Sequence, residues 1–555
     1  MTDATMPALP HATMAELLLA RAEDDGTALI FEGRRWTWRE LLAEASVRSA
    51  LLQELRPAEG PWHVGVLLEN TPEYLFLVAG AALSGATVIG VNPTRRGAEL
   101  AADVRRTDCA ILLTAEPHGS LLDGIDHGAE TVLDVEGEEY AAALARHADA
   151  PVAATPEGLD PSSVLLLLFT SGSTGAPKAV ICSTGRWARI CQLTPIPVGR
   201  DDVAYNAMPL FHGNALMAAW GPCVNHGAAF ALRRKFSASG FLPDVLETGA
   251  TFFNYVGRSL AYVLAQPERP DESRTKLRFG FGTEASARDR SEFLRRYGVA
   301  VSESYGSSEG TCYIIRTPET PDGALGVPQV GFTIDVVGED GEVSPPARFS
   351  PDGELLNAAE ATGELVSRGA AARFEGYYNN PEASAEKLRD GDFWTGDLGY
   401  RDEDGFFYFA GRTADWLRVD SENFAAAPVE RILSRFPGVA VAAVYPVPDP
   451  RTGDLVMATL QVDDPTSVDP DDLAGFLAEQ ADLGTKWAPR LVRLTDDLPV
   501  TATRKVDKPT LRRQLWRGGD PVLERVDGSY RRLTPDRAAA LEAEYAEHDR
   551  LALLG

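Results

Sequence analysis

Short runs of buried-strand character recur between long apolar helical patterns, and this alternation restricts the chain to an α/β fold. HVGVLL (63–68), TVIGV (87–91) and CAILLT (109–114) are separated by patterns such as TPEYLFLVAGAALSG, and strands that alternate with helices read as crossover units. Crossover units predict parallel sheets covered by helices on both faces. At 555 residues the chain is too long for one core, so a large domain with a smaller companion is expected. The texture changes near 411–416, where the turn-rich YRDEDGFFYFAGRTADW gives way to a shorter mixed region. Past that point the pattern predicts a helix at 428–436, strands at 439–447 and 455–463, a helix at 470–481, a strand near 490–494, and a terminal hairpin closed by a surface helix. The Pro/Gly/Asp-rich piece at 336–356 reads as hairpins. The expected organisation is a large N-terminal domain over 1–412, with parallel or mixed sheets covered by helices, and a smaller α+β domain over 413–555.

Charge excludes one class of partner. With 53 basic against 81 acidic side chains the formal net charge is −28, which repels polyphosphate backbones unless a basic stripe is segregated from the rest. The densest basic run, Arg233-Arg234-Lys235, is three charges at the end of a short apolar segment and reads as a solvated element end. Nucleic acid is therefore not expected as a partner. Five cysteines at 109, 182, 191, 223 and 312 form no CxxC pair, and an odd number in a long chain gives no disulfide framework. A reducing, cytoplasmic setting is the expectation. The first residues, MTDATMPALPHATMAELLLA, do not have the basic start and apolar run of a secretory signal, and no segment approaches the about 18 uninterrupted apolar residues of a membrane span.

The chemistry starts in LLLLFTSGSTGAPKAV (165–180), where an apolar run breaks into hydroxyls, glycines and one lysine. Gly172 and Gly175 let backbone amides turn toward one point, and Thr170, Ser171, Ser173 and Thr174 add hydroxyl donors. Such a nest suits a polyphosphate, with Lys178 adding a positive charge and Pro177 stiffening the exit. The lysine lies three residues after the second glycine and is followed by alanine, so this is not the GxxxxGK[ST] pattern of P-loop nucleotidases.

The full string FTSGSTGAPK resembles the signature of the adenylate-forming superfamily, which holds acyl-CoA synthetases, luciferases and peptide-synthetase adenylation domains. Six further stretches match in the same order over roughly residues 25–515. MPLFHGNAL resembles the family's PLFH segment, which implies that His212 stands beside the acyl pocket. FGFGTEAS falls where the family has a glycine-bearing strand end, which implies that Gly282 and Thr283 form a wall of the adenine and acyl pockets. SESYGSSEG resembles the YGxTE segment, with Ser304, Gly306 and Ser307 around Tyr305, which would lie against adenine, Ser308 near phosphate and Glu309 at a magnesium ion shared with Thr174. WTGDLGY implies that Asp397 holds the ribose hydroxyls, and FAGRTADWLRV that Arg412 makes a second ribose or phosphate contact. ATRKVDK implies that Lys505 meets the reacting carboxylate and the α-phosphate from a mobile lid that turns about a hinge near Asp415.

The resemblance implies ATP and magnesium, and coenzyme A as co-substrate. Attack of a carboxylate on the α-phosphorus brings two anions together and expels pyrophosphate, so positioning and charge stabilisation carry that step. The region from GPCVNHG to VLAQP, together with RVDSENFAAAPVE, looks most like the very-long-chain acyl-CoA synthetase and fatty-acid transport branch. That places Tyr255 and Arg258 at the substrate pocket and makes an acyl-CoA ligase for a fatty or aryl acid the expected function. Arg258 stands where the branch usually has glutamate, GFGTEAS replaces Gly-Asn-Gly-Leu-Arg, and Ser421 replaces a glycine in the hairpin that borders the acceptor tunnel. Those departures keep an alternative open, a ligase with a non-CoA acceptor, such as a diazotase joining nitrite to an arylamine or an amide-forming enzyme. A fatty-acid binding or transport protein is a third reading, against which Lys505, Glu309 and Asp397 stand.

Overall fold

The first strands that the sequence marks out pair side by side. In the computed structural model, which describes residues 9–152, 154–170, 177–194, 196–256, 259–283, 285, 287–350, 355–412, 416–419, 422–450, 454–480, 483–484, 486–501, 505–548 and 550–554, His63–Leu67, Thr87–Gly90 and Ile111–Thr114 form adjacent parallel strands. Their sheet runs Thr131–Asp134, Ile111–Thr114, His63–Leu67, Thr87–Gly90, Val164–Thr170, Lys178–Ser183, parallel except for the last, antiparallel pair. A second sheet holds parallel strands in the order Thr27–Phe31, Ala229–Leu232, Val203–Asn206, Phe252–Val256, Phe279–Thr283, Val301–Gly306, with Arg34–Thr37 antiparallel at its edge.

Helix Pro72–Ser84 is buried at every residue from Tyr74 to Ser84, as its unbroken apolar run requires of a helix covered on all sides. Pro72 occupies its first turn, where the missing N–H costs nothing. It packs against helix Trp38–Glu54, which starts at a capping box between Thr37 and Glu40.

The strand FGFGT shows why glycines alternate there. A Cβ at Gly280 would lie 2.6 Å from the Phe253 ring, and one at Gly282 would lie 2.5 Å from the carbonyl oxygen of Tyr255 and 2.6 Å from its ring. The aromatic rings of the neighbouring strand thus lie across the glycines, in a cluster with Phe241 and Phe293. Gly282→Ala is expected to destabilise this unit by about 1–3 kcal/mol, the usual cost of overpacking a filled core. An unchanged urea midpoint would contradict this packing.

Contacts divide the chain into two compact units, residues 1–313 with 370–391, and residues 314–369 with 392–555. The second contains an antiparallel sheet in which Gly363–Ser367 pairs with Ile334–Val337 and with Asp392–Arg401, and Asp392–Arg401 pairs with Phe407–Arg412. It also contains a mixed five-stranded sheet, Val439–Pro448, Asp454–Val462, Leu491–Thr495, Val522–Val526, Ser529–Arg532. One face of that sheet buries Val444, Leu460 and Val492 under helices Ala426–Leu433 and Pro470–Ala478. The other buries Tyr445, Met457 and Leu491 under Lys508–Gln514 and Pro535–Glu547. The mixed α/β architecture with a smaller C-terminal domain agrees with the sequence pattern, and so do the terminal hairpin and helix.

All five cysteines are buried and free. Burial pushes the Cys109 thiol up to about 12 and the Cys182 thiol to about 11, so both stay protonated. Arg233 and Arg234 pair with Asp244, Glu247, Glu32 and Glu69, so two of the three charges of the basic run face carboxylates. Among the described residues no helix is long and apolar enough to cross a membrane.

Candidate active site

The hydroxyl and glycine stretch connects two paired strands. Val164–Thr170 and Lys178–Ser183 run antiparallel, and the last rung of their ladder sets Thr170 opposite Lys178. The two residues that flank the stretch are therefore neighbours in the sheet. Ser171, Gly172, Ser173, Thr174 and Gly175 lie outside the described residues, as does Arg258.

Lys178 is 8% exposed, and its Nζ stands 5.1 Å from the centroid of the Tyr377 ring. Tyr377 donates its hydroxyl to Glu309 Oε1 at 2.7 Å. Burial, and after it the Glu309 carboxylate, push that hydroxyl well above the ordinary tyrosine range, so it remains a donor. One tyrosine thus offers its face to the loop's cation and its hydroxyl to the carboxylate. Tyr377 escapes a reading of the sequence, where it is half of an aromatic pair before Asn-Asn-Pro with no charge to mark it.

Arg186 is a second residue of this kind. It is 6% exposed, and its guanidinium donates to Ile181 O at 2.8 Å and to Ser308 O, and lies 3.7 Å from Glu375. Glu375 also accepts from the Ser183 N–H at 2.8 Å and the Ser183 hydroxyl at 2.5 Å. Ser183 in turn caps helix Thr184–Leu193 by accepting the Arg186 N–H.

The parallel strands of the second sheet end side by side, where ligands of open α/β sheets bind. Gly282 and Thr283 close Phe279–Thr283 next to Tyr255 and Val256. On the adjacent strand Ser304 hydrogen-bonds to Tyr313, Tyr305 is half-buried and Gly306 is exposed. Ser307, Ser308 and Glu309 follow in a turn closed by the Gly310 N–H on Ser307 O at 3.0 Å. Glu303 ties these strand ends together, accepting from the Ala285 N–H at 2.5 Å and from Arg290 at 2.7 Å. Tyr255 itself is 2% exposed and packs with Phe253 on the aromatic face.

The turn that carries His212 is anchored from below. Asn70 accepts the Leu210 N–H at 2.9 Å and donates to Met208 O at 3.0 Å and Arg233 O at 3.1 Å. A Cβ at Gly90 would lie 2.6 Å from Phe211 O, so only glycine at the end of that strand admits the backbone before His212. His212 is half-buried, its ring 4.4 Å from that of Phe211, and Asn214 then opens a π-helical segment, Asn214–Trp220.

In the second unit, ladder pairing places Asp397 opposite Arg412, and the Asp397 N–H donates to Thr395 Oγ1 at 3.0 Å. The Lys505 N–H donates to Thr501 Oγ1 at 3.2 Å. Ser421 lies outside the described residues.

Residues 19–378 match the model of the AMP-binding enzyme family, and residues 428–505 match the AMP-binding enzyme C-terminal domain. The chain is 50% identical over 550 residues to steroid-22-oyl-CoA synthetase of Rhodococcus jostii, covering 98% of this chain and 99% of that one. It is 43% identical over 516 residues to the medium/long-chain-fatty-acid–CoA ligase FadD17 of Mycobacterium tuberculosis, covering 92% and 98%. The ATP-bound crystal structure of MatB from Rhodopseudomonas palustris superposes on 90% of this chain and 98% of its own with a TM-score of 0.78 at 24% identity, a likeness of fold.

Proposed function

The chain belongs to the AMP-binding enzyme family, and from that premise we propose how its residues divide the work of an AMP-forming acyl-CoA synthetase. A carboxylate oxygen attacks the α-phosphorus of ATP, the bond to the bridging oxygen breaks, and pyrophosphate leaves. The thiol of coenzyme A then attacks the acyl carbonyl, its proton passes to solvent, and AMP leaves. Residues 1–412 bind ATP and the acid, and residues 413–555 form the lid that carries Lys505. The observation that carries this reading is the Lys178–Tyr377–Glu309 arrangement at the base of the hairpin loop.

In this reading Thr170, Lys178 and the loop amides hold the phosphates, while Gly282, Thr283 and the run Ser304–Ser308 border the adenine, with Tyr305 against it. Asp397 and Arg412 take the ribose, His212 flanks the acyl group, and Lys505 meets the reacting oxygens. The acid is a medium- or long-chain fatty acid or a steroid side-chain acid, as the names of the two relatives suggest. The five buried free thiols accord with a cytoplasmic reaction.

A magnesium ion suits the donor set. It prefers one or two carboxylates, with phosphates and water completing an octahedron, and Glu309 offers hard oxygens, one already oriented by Tyr377. When bound, the ion neutralises charge on the phosphates. Tyr377→Phe removes the hydroxyl that fixes Glu309, and pyrophosphate release is expected to fall about 10-fold at low magnesium, the worth of one hydrogen bond to a charged group. The loss should shrink as magnesium is raised; a magnesium titration that superposes on the wild-type curve would refute the role of Tyr377.

The test of function is AMP release from ATP with fatty acids, steroid acids and aryl acids, each with and without coenzyme A. Thioester formation that requires coenzyme A is the expected result. AMP release with nitrite and an arylamine, indifferent to coenzyme A, would overturn it.

A further inference from the structure

Asn254 is the one amide side chain in the strand Phe252–Val256. It is 2% exposed, level with Phe281 in the parallel ladder. Because strand side chains alternate, it lies on the face opposite Phe253 and Tyr255. That face is covered by the π-helical segment Asn214–Trp220, and Asn254 Nδ2 donates to Asn214 Oδ1 at 2.7 Å. Among the described residues Asn254 Oδ1 has no hydrogen-bond partner.

The neighbouring asparagines make the contrast. Asn70, 5% exposed, accepts one backbone N–H and donates to two carbonyls. Asn206, 0% exposed, donates to Met208 O at 2.9 Å and accepts the Met208 N–H at 3.3 Å. Both use their oxygen and their nitrogen to hold the turn before His212. Asn254 uses its nitrogen only, in surroundings where an unmet acceptor is penalised by desolvation.

Its position gives that acceptor a use. Asn214, the partner of the Asn254 amide nitrogen, is half-buried and follows the half-buried His212 and Gly213 in the chain. Turning the Asn214 side chain aside would open both amide atoms of Asn254 to a ligand lying along His212. Segments of π-helix are rare and concentrate at functional sites, which fits a wall that yields. A hydroxyl is the group that answers both atoms at once, donating to Oδ1 and accepting from Nδ2. A ketone can only accept, and a methylene does neither.

We propose that Asn254 selects for an acid whose carbon skeleton carries a hydroxyl group, within an acyl site otherwise apolar. This rests on the reading that the acyl group lies beside His212. A site built to bond a hydroxyl discriminates strongly against the analogue that lacks it.

The test compares kcat/KM for AMP release in matched sets: a panel of ring-hydroxylated steroid acids with their deoxy and keto counterparts, and hydroxy fatty acids with their parents. Wild type is expected to favour at least one hydroxylated acid about 10- to 100-fold over both its deoxy and its keto partner. In Asn254→Leu the ratio should fall toward one, whatever happens to the absolute rate. A structural role would lower all members of a set together and leave the ratio intact. Should the leucine variant fail to fold, Asn254→Ala carries the same comparison. A wild type without hydroxyl preference anywhere in the panel, or a folded variant that keeps the preference, overturns the proposal. Failure of every acid to release AMP would instead sink the ligase reading itself.

Discussion

Lys505→Ala is expected to slow acyl-adenylate formation about 100- to 1,000-fold, the usual loss when one group that stabilises developing charge is removed, in a variant that still folds. The variant should still fold, because main-chain and hydroxyl groups flanking Lys505 hold this stretch as well. The Thr501 N–H donates to Lys505 O at 2.7 Å, the Lys505 N–H donates to Thr501 Oγ1 at 3.2 Å, and Val500 forms an antiparallel bridge with Val506. Asp507 then caps helix Lys508–Gln514 by accepting the Thr510 N–H at 3.1 Å. The rate should notice it, because the first half-reaction alone drives a carboxylate onto a phosphate. Acyl transfer from preformed acyl adenylate to coenzyme A brings no second anion to phosphorus, so it should be much less affected. Pyrophosphate release and thioester formation measured separately decide the matter. A normal rate of pyrophosphate release would remove Lys505 from the mechanism, and equal losses in both halves would assign it a general role in binding the nucleotide.

The sequence announces those parts whose physics is local. Continuous apolar runs such as HVGVLL and CAILLT mark strands buried on both faces, and the observed strands His63–Leu67 and Ile111–Thr114 fall within them. The spatial order of strands is not local. Thr27–Phe31 lies beside Ala229–Leu232, some two hundred residues later, because the alignment of whole layers decides it. The unit boundary illustrates the same limit: residues 314–369 are rich in turns and carry no break in periodicity, yet their contacts group them with 392–555. Asp397 and Arg412 could be picked out because each sits in a distinctive string, and their ladder pairing follows from the hairpin between them. Tyr377, Arg186 and Asn254 could not. Nothing in the strings around them marks them out, and most of their partners come from segments far away in the chain.

Arg186 gives that point a measurable form. Replacing it with methionine, which keeps the length and removes the charge, is expected to destabilise the first unit by about 2 kcal/mol, within the range for losing hydrogen bonds from a charged group. Three segments lose a common partner: Ile181 O in the hairpin strand, Ser308 O in the turn before Glu309, and Glu375 in the stretch leading to Tyr377. Gly310, with φ +67°, brings its Cα close to the guanidinium, so a Cβ there would lie 2.8 Å from Arg186 Nε. The turn is thus shaped around this side chain. Because the loop strand, Glu309 and Tyr377 are positioned through these bonds, kcat for adenylation should fall about 10- to 100-fold at a temperature where the variant is still folded, more than the KM for ATP rises. Arg186→Lys should recover part of the stability through its charge but little of kcat, since one ammonium cannot reach three acceptors in the directions of a planar fork. Two outcomes would separate the roles. A folded methionine variant with wild-type kcat would make Arg186 purely structural, whereas a lysine variant with wild-type kcat would show that charge near Glu375, and not the bond to Ser308, sets the geometry around Glu309.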